Sequence, residues 1–258
     1  MANNDIISHL REGPVRLARN AKQEGDTDDM FRSMKEVFSM DSKYFSEIKY
    51  LSAQEYFSAE ELRLFFVAFE GFINTRRELV KRASAIKELF GEVKKEVDAT
   101  CKEVQDIVKP HLENPKGDAS HLYFLTLRAD SSRYKAEFLT YSPLSSPNPV
   151  RHEIPWAVET ARKEYLAAMG FAPCLDSQDP QYIRTVFHYT IFLHGISQDR
   201  QNAIQVATQN IKLEVDYLDE LSEADYKEAA TLLERWVQCW ESWTGLKSPW
   251  SIRGARER

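Results

Sequence analysis

Hydrophobic residues recur every three or four positions along most of this chain, with charged residues between them. Such spacing places the apolar side chains on one face of an α-helix, which can then pack against other helices. In segment 61–90, for example, Leu62, Phe65 and Phe69 share one face. The pattern predicts helices over the segments 61–90, 93–112, 120–139, Trp156–Met169, Gln181–His194, Gln201–Leu221 and 222–244.

Three stretches interrupt or end this pattern. Segment 140–155 contains four prolines and is predicted as a long loop, because proline removes a backbone hydrogen-bond donor. Residues 41–58 are irregular and aromatic-rich, which predicts an extended connector or a short additional helix. Ser222 is predicted as the N-cap of the last helix, and residues 246–258 as a flexible basic tail. The fold class is therefore all-α with a single domain.

Composition narrows the class of protein. A hydrophobic fraction of 43% with 29% charged residues is typical of a globular domain. The formal charge of −6 argues against nucleic-acid or anionic-membrane binding, which needs a basic surface. Cys101, Cys174 and Cys239 are far apart with no C-x-x-C pair, which indicates a reducing compartment. No secretory segment and no membrane-length apolar run occurs in the sequence, so we expect a cytoplasmic protein.

An arginine and a tyrosine stand side by side in the stretch DSSRYKAEF, as Arg133 and Tyr134. A guanidinium offers a planar fork of donors that suits two phosphate oxygens, and a phenol adds a neutral donor. The local pattern alone leaves two interpretations open. The pair is either part of an anion site, or a surface cation beside a half-buried ring.

Four collinear stretches resemble the 14-3-3 family: DDMFRSMKEV (28–37), SAEELRLFFVAFEGFINTRRE (58–78), LYFLTLRADSSRYKAEF (122–138) and LDELSEADYKEAATLLERWVQCWESWT (218–244). The resemblance extends from about residue 15 to 244. It implies an antiparallel bundle of about nine helices over residues 1–245. It also implies a groove that binds phosphoserine or phosphothreonine peptides, without a metal or cofactor.

The resemblance assigns roles to individual residues. It implies that Arg77, Arg133 and Tyr134 hold the phosphate, and that two carboxylates orient the arginines. The groove positions that it implies are Glu70, Asp130, Glu137, His188, Ile191, Leu232, Cys239 and Trp243.

The sequence departs from the family at several of these positions. The family's clamp includes a lysine, which here is Glu70, so a carboxylate either repels the phosphate or folds onto Arg77 and neutralises it. Two asparagines that grip the peptide backbone fall on His188 and Cys239. A small packed residue is the better interpretation of Cys239, whereas both interpretations of His188 stay open. Arg235 stands where the family has an apolar groove wall.

We expect a phosphopeptide-binding adapter with weakened or altered specificity. The alternative is a scaffold of the same fold that has lost phosphate recognition and binds partners by other surfaces. An enzyme built on Cys239 and His188 is the least favoured reading, since the sequence lacks H-E-x-x-H, a phosphate-cradling glycine loop and G-x-S-x-G.

The expected partners are phosphorylated protein segments, with Ser248 or Ser251 of the protein's own tail as candidates. A homodimer is also expected, although the hairpin after Ile86 is shorter than the resemblance implies. An apolar stripe on the first and third helices favours the dimer, and it comprises Leu17, Ala21, Leu79, Ala83 and Ile86.

Overall fold

The computed structural model describes the backbone of residues 2–44, 57–82, 87–113, 115, 117–141, 149–177 and 179–250. These residues form nine α-helices and no β-strand, which confirms the predicted all-α fold. The helices are α1 (Ala2–Glu24), α2 (Thr27–Tyr44), α3 (Ala59–Arg82), α4 (Lys87–Glu113), α5 (Asp118–Thr140), α6 (Pro149–Phe171), α7 (Pro180–Ile191), α8 (Arg200–Tyr217) and α9 (Glu223–Thr244). Short 3₁₀ turns follow α6 and α8, and a π-helical segment, Phe192–Ile196, follows α7.

Two large apolar clusters hold the helices together. One lies among α1 to α5 and is rich in stacked phenylalanines, for example Phe31 against Phe65 and Phe69. The other lies among α7, α8 and α9 around the fully buried Trp236. Helices α3, α5, α7 and α9 contact one another in that order. They form the layer on which the candidate site is built.

The start of α9 agrees with the sequence. Ser222 caps the helix, because its hydroxyl accepts a hydrogen bond from the Asp225 amide at 3.2 Å. At the other end, Gly245 has φ 71°, a left-handed conformation that glycine adopts without steric cost. The chain turns there, and the Trp250 ring lies 5.1 Å from that of Trp240. The boundary of a flexible tail at 246 stays a prediction.

Two predicted boundaries were wrong. The predicted helix 61–90 covers parts of two helices, since α3 ends at Arg82 and α4 already begins at Lys87. The predicted loop 140–155 ends early, because α6 begins at Pro149 and continues through Pro155. Proline suits a helix's first turn, and one further proline costs a single backbone hydrogen bond without ending the helix. Most of the connector predicted at 41–58 lies outside the described residues, and α2 extends to Tyr44.

Candidate functional site

Two arginines from different helices lie on the same tyrosine ring. The Cζ atom of Arg133 is 4.2 Å from the centroid of the Tyr134 ring, and that of Arg77 is 5.0 Å from it. Arg133 and Tyr134 belong to α5, whereas Arg77 belongs to α3. The structure therefore brings together the three side chains that the resemblance assigned to the phosphate.

Arg77 is held in place by a carboxylate on α5. Its Nε and Nη2 donate to Glu137 Oε1 and Oε2 at 2.6 and 2.5 Å, a bidentate pair, and its Nη1 donates to Asn74 Oδ1 at 2.6 Å. Burial alone would raise the pKa of Glu137, but the contact with Arg77 holds that pKa below its usual range. The carboxylate is thus ionised and neutralises Arg77.

Arg133 belongs to a buried network centred on Asp130. Its Nε and Nη2 donate to Asp130 Oδ1 at 3.1 and 3.0 Å, and the Tyr165 hydroxyl donates to the same oxygen. His188 Nδ1 lies 2.7 Å from Asp130 Oδ2. Although burial would raise the pKa of Asp130, His188, Arg133 and Tyr165 together hold it below its usual range. The aspartate is therefore an ionised partner for both Arg133 and His188.

The spacing of residues on α5 explains this geometry. Arg133 and Tyr134 follow Asp130 by three and four residues, and Glu137 follows it by seven, so all four share one face of the helix. Burial raises the pKa of the Tyr134 hydroxyl, which keeps it a neutral donor. This hydroxyl makes no hydrogen bond to any other described residue, and the Tyr134 residue is 1% exposed.

Glu70 does not fold onto Arg77, which was one of the two outcomes expected from the sequence. It pairs with Arg235 of α9 instead, with Arg235 Nη2 2.5 Å from Glu70 Oε1 and Nη1 3.5 Å from Oε2. Burial would raise the pKa of Glu70, but the hydrogen bond from Arg235 keeps it below its usual range. An ion pair thus joins α3 to α9 beside the Tyr134 site.

A second ion cluster joins α3, α7 and α9, almost two helical turns before the Glu70–Arg235 pair. Arg63 Nη1 of α3 lies 3.0 Å from Glu228 Oε2 of α9, and Arg184 of α7 donates to Glu228 Oε1. These three residues line part of a cavity of about 300 Å³. They were not predicted from the sequence, although Arg63 lies seven residues before Glu70 and Glu228 lies seven residues before Arg235.

The other predicted groove residues occupy different environments. Leu232 is buried in the α7–α9 cluster, while Ile191 and Cys239 are half-buried and pack against it. The Trp243 ring stacks on His194 with centroids 4.4 Å apart, a contact that the sequence did not reveal. Burial raises the pKa of the Cys239 thiol, which makes it a poor nucleophile at neutral pH. In the described residues no hydrogen bond joins Cys239 to His188.

Comparison with known proteins agrees with this architecture. The family model described as 14-3-3 protein matches residues 17–244, which is most of the chain. The chain belongs to the 14-3-3 family. Membership supports an adapter role, because 14-3-3 proteins bind phosphorylated protein segments and usually form dimers. They are adapters rather than enzymes.

Curated relatives of the 14-3-3 family match over most of their length but at low identity. The checkpoint signal transducer rad25 of Schizosaccharomyces pombe is 24% identical over 246 residues, covering 88% of this chain and 83% of the relative. The 14-3-3 protein epsilon of Drosophila melanogaster is 24% identical over 242 residues, covering 87% and 84%. The 14-3-3 protein zeta of Bombyx mori is 25% identical over 243 residues, covering 87% and 88%. The chain is a divergent 14-3-3 protein.

None of the helices in the described part of the chain is both long and apolar enough to cross a membrane. No group of three or more histidine, cysteine, aspartate or glutamate side chains in that part is arranged to hold a metal ion.

Proposed function

We propose that this protein is a phosphoserine- or phosphothreonine-binding adapter with weakened or altered specificity. The observation that carries the proposal is the position of Arg77 and Arg133 on the ring of Tyr134. Two guanidiniums and one neutral phenol supply enough donors for a phosphate dianion, since each arginine keeps N–H groups beyond those bound to carboxylates. In this proposal the peptide lies along the layer formed by α3, α5, α7 and α9.

Weak affinity follows from the charge balance of the site. Arg77, Arg133 and Arg235 face three carboxylates, those of Glu137, Asp130 and Glu70. The site therefore offers a dianion no net positive charge. Replacing a lysine's attraction with a carboxylate's repulsion costs about one to several kcal/mol of binding, depending on the local dielectric.

Fluorescence polarisation tests the proposal. We expect a pool of labelled peptides with a central phosphoserine and degenerate flanks to bind at least about tenfold more tightly than the same pool with serine. Arg77→Gln should remove most of that preference, because it deletes the more accessible of the two clamp arginines. Arg32→Gln, which removes an exposed arginine on α2, serves as the charge-matched control. Equal binding of both pools by the wild-type protein contradicts the proposal.

The second candidate function is a scaffold that has lost phosphate recognition. The observation that favours it is the pairing of every clamp arginine with a carboxylate. Glu70→Lys distinguishes the two candidates. A large gain in phosphopeptide affinity from this single change identifies an otherwise intact groove. A Glu70→Lys variant that binds phosphoserine and serine peptides equally favours the scaffold.

We further propose that the protein forms a homodimer in the cytoplasm and has no enzymatic activity. Leu17 of α1 and Leu79 of α3 are 55% and 38% exposed, which supports an apolar contact between protomers, whereas Ala21 is buried. Ala83 and Ile86 lie outside the described residues. We expect Leu17→Arg to shift the protein from dimer to monomer in light scattering, and a dimer that survives argues for another interface.

The protein's own tail is a further candidate ligand. Phosphorylated Ser248 or Ser251 would reach the groove only after Trp250 leaves Trp240, because residues 245–250 lie against α9. Ser251 itself is outside the described residues. Deleting the tail should then raise peptide affinity in the phosphorylated protein, and an unchanged affinity counts against this ligand.

A further inference from the structure

Helix α3 presents three charges of alternating sign toward its neighbours. Arg63, Glu70 and Arg77 are spaced seven residues apart, which is almost two turns, so all three lie on one face. Arg63 and Glu70 pair with α9, at Glu228 and Arg235, and Arg77 pairs with Glu137 of α5. We refer to these three ion pairs as the α3 charge ladder.

The cations near Tyr134 differ in their freedom to move. Arg133 is buried and Arg77 is fixed by three hydrogen bonds. The Arg235 side chain is 45% exposed and has one close contact with Glu70, the second N–O distance being 3.5 Å. Among these three arginines, Arg235 is the one that can reorient without unfolding the site.

We propose that Arg235 binds the phosphate directly as the third cation of the clamp, and that Glu70 holds Arg235 in place while the groove is empty. This inference rests on the proposed function. It moves the third positive charge from α3, where the family places a lysine, to the facing helix α9. The ligand group is the doubly charged phosphate of a phosphoserine or phosphothreonine peptide.

The exchange of partners is favoured by charge. A phosphate carries close to two negative charges at neutral pH and three acceptor oxygens, whereas the Glu70 carboxylate carries one charge. Glu70 lies almost two turns before Arg77 on the same face of α3, and Arg235 is paired with Glu70. Binding by Arg235 requires its side chain to turn from Glu70 to a phosphate oxygen held beside Arg77.

A double-mutant cycle separates direct binding from simple neutralisation of Glu70. Arg235→Leu alone is ambiguous, because it also leaves the Glu70 charge unpaired. In the Glu70→Gln background that charge is absent. If Arg235 contacts phosphate, adding Arg235→Leu to Glu70→Gln should weaken binding of the phosphoserine peptide pool about tenfold or more, while the serine pool is unaffected.

Three outcomes are decisive. Equal phosphopeptide affinity of Glu70→Gln and the double variant overturns the role of Arg235 while leaving the proposed function intact. A loss that is the same for the phosphoserine and serine pools also overturns it, because it reports general damage to the groove. If neither the wild type nor Glu70→Gln prefers the phosphoserine pool, the proposed function fails and this inference fails with it.

A matched control and a direct readout complete the test. Lys227→Leu removes an exposed positive charge from the same helix, and it should leave the preference for phosphoserine unchanged. The NMR signal of the Arg235 side-chain Nε–H should shift when the phosphoserine pool is added and stay in place with the serine pool. Circular dichroism confirms that each variant is folded.

Discussion

Glu214 occupies a core position on α8, and its replacement by glutamine should stabilise the protein above pH 7. Ala207, Ile211, Glu214 and Leu218 follow a helical spacing of three and four, and all are buried. Glu214 is only 2% exposed, and neither carboxyl oxygen has a hydrogen-bond partner in the described residues. Burial raises the pKa of Glu214 to about 7. A carboxyl group that ionises in this position lacks any compensating contact.

The sign and size of the effect follow from linkage. The folded pKa is above the unfolded value of about 4.3, so the contribution to stability is complete below pH 4 and is lost as the pH rises to 7. The difference between a pKa of about 4.3 and one of about 7 corresponds to about 3–4 kcal/mol. Glutamine is neutral at every pH, like the protonated carboxyl group. The Glu214→Gln variant therefore does not lose this stability as the pH rises. The free energy of unfolding of Glu214→Gln should therefore exceed that of the wild type by about 3–4 kcal/mol at pH 8, and by little at pH 4.

Urea unfolding followed by circular dichroism at several pH values between 4 and 8 measures this difference. Subtracting the two curves removes the titration of every group that both proteins share. Asp219→Asn, the same type of substitution at an exposed position on the 3₁₀ turn after α8, is a suitable control for the change of side chain itself. A difference between wild type and Glu214→Gln that stays flat within about 1 kcal/mol would refute the reasoning, since Glu214 would then be ionised without penalty.

Two further substitutions test the packing and charge network behind the site. A Cβ atom at Gly71 would lie 2.6 Å from Thr27 Cγ2, so Gly71→Ala should destabilise the fold by about 1–3 kcal/mol in urea unfolding. Thr27→Ser removes that methyl group and should restore much of the loss, and no rescue would contradict the clash. Asp130→Asn removes the closer of the two carboxylates that face the buried Arg133 and should cost about 3–5 kcal/mol by the same assay, so an unchanged unfolding midpoint argues against a buried charge pair.

Helices were predictable from the sequence because their signals are local. The cap at Ser222 and the three-to-four spacing around Phe65 need only neighbouring residues. The end of α3 was misplaced because the apolar periodicity of the sequence continues from α3, which ends at Arg82, into α4, which begins at Lys87. Proline was given too much weight at 149–155, since α1 and α4 also contain a proline. A proline weakens a helix locally, and packing of the remaining turns decides whether the helix continues.

The candidate site was predictable only in part. Arg77, Arg133 and Tyr134 were selected by resemblance, and the structure brings them to one ring. The partner of Glu70 lies 165 residues away at Arg235, and no local pattern specifies such a contact. Pairing across the bundle depends on how the helices pack, which a single sequence does not reveal.

The α3 charge ladder also constrains how α3 and α9 align with each other. Along both α3 and α9 the paired residues follow in the same order, Arg63 then Glu70 and Glu228 then Arg235. Sliding one helix past the other by seven residues, about 10 Å, would place Arg63 opposite Arg235 or Glu70 opposite Glu228. Because either displacement sets like charges against each other, the alternation of sign disfavours a shift of α9 along α3 by seven residues in either direction.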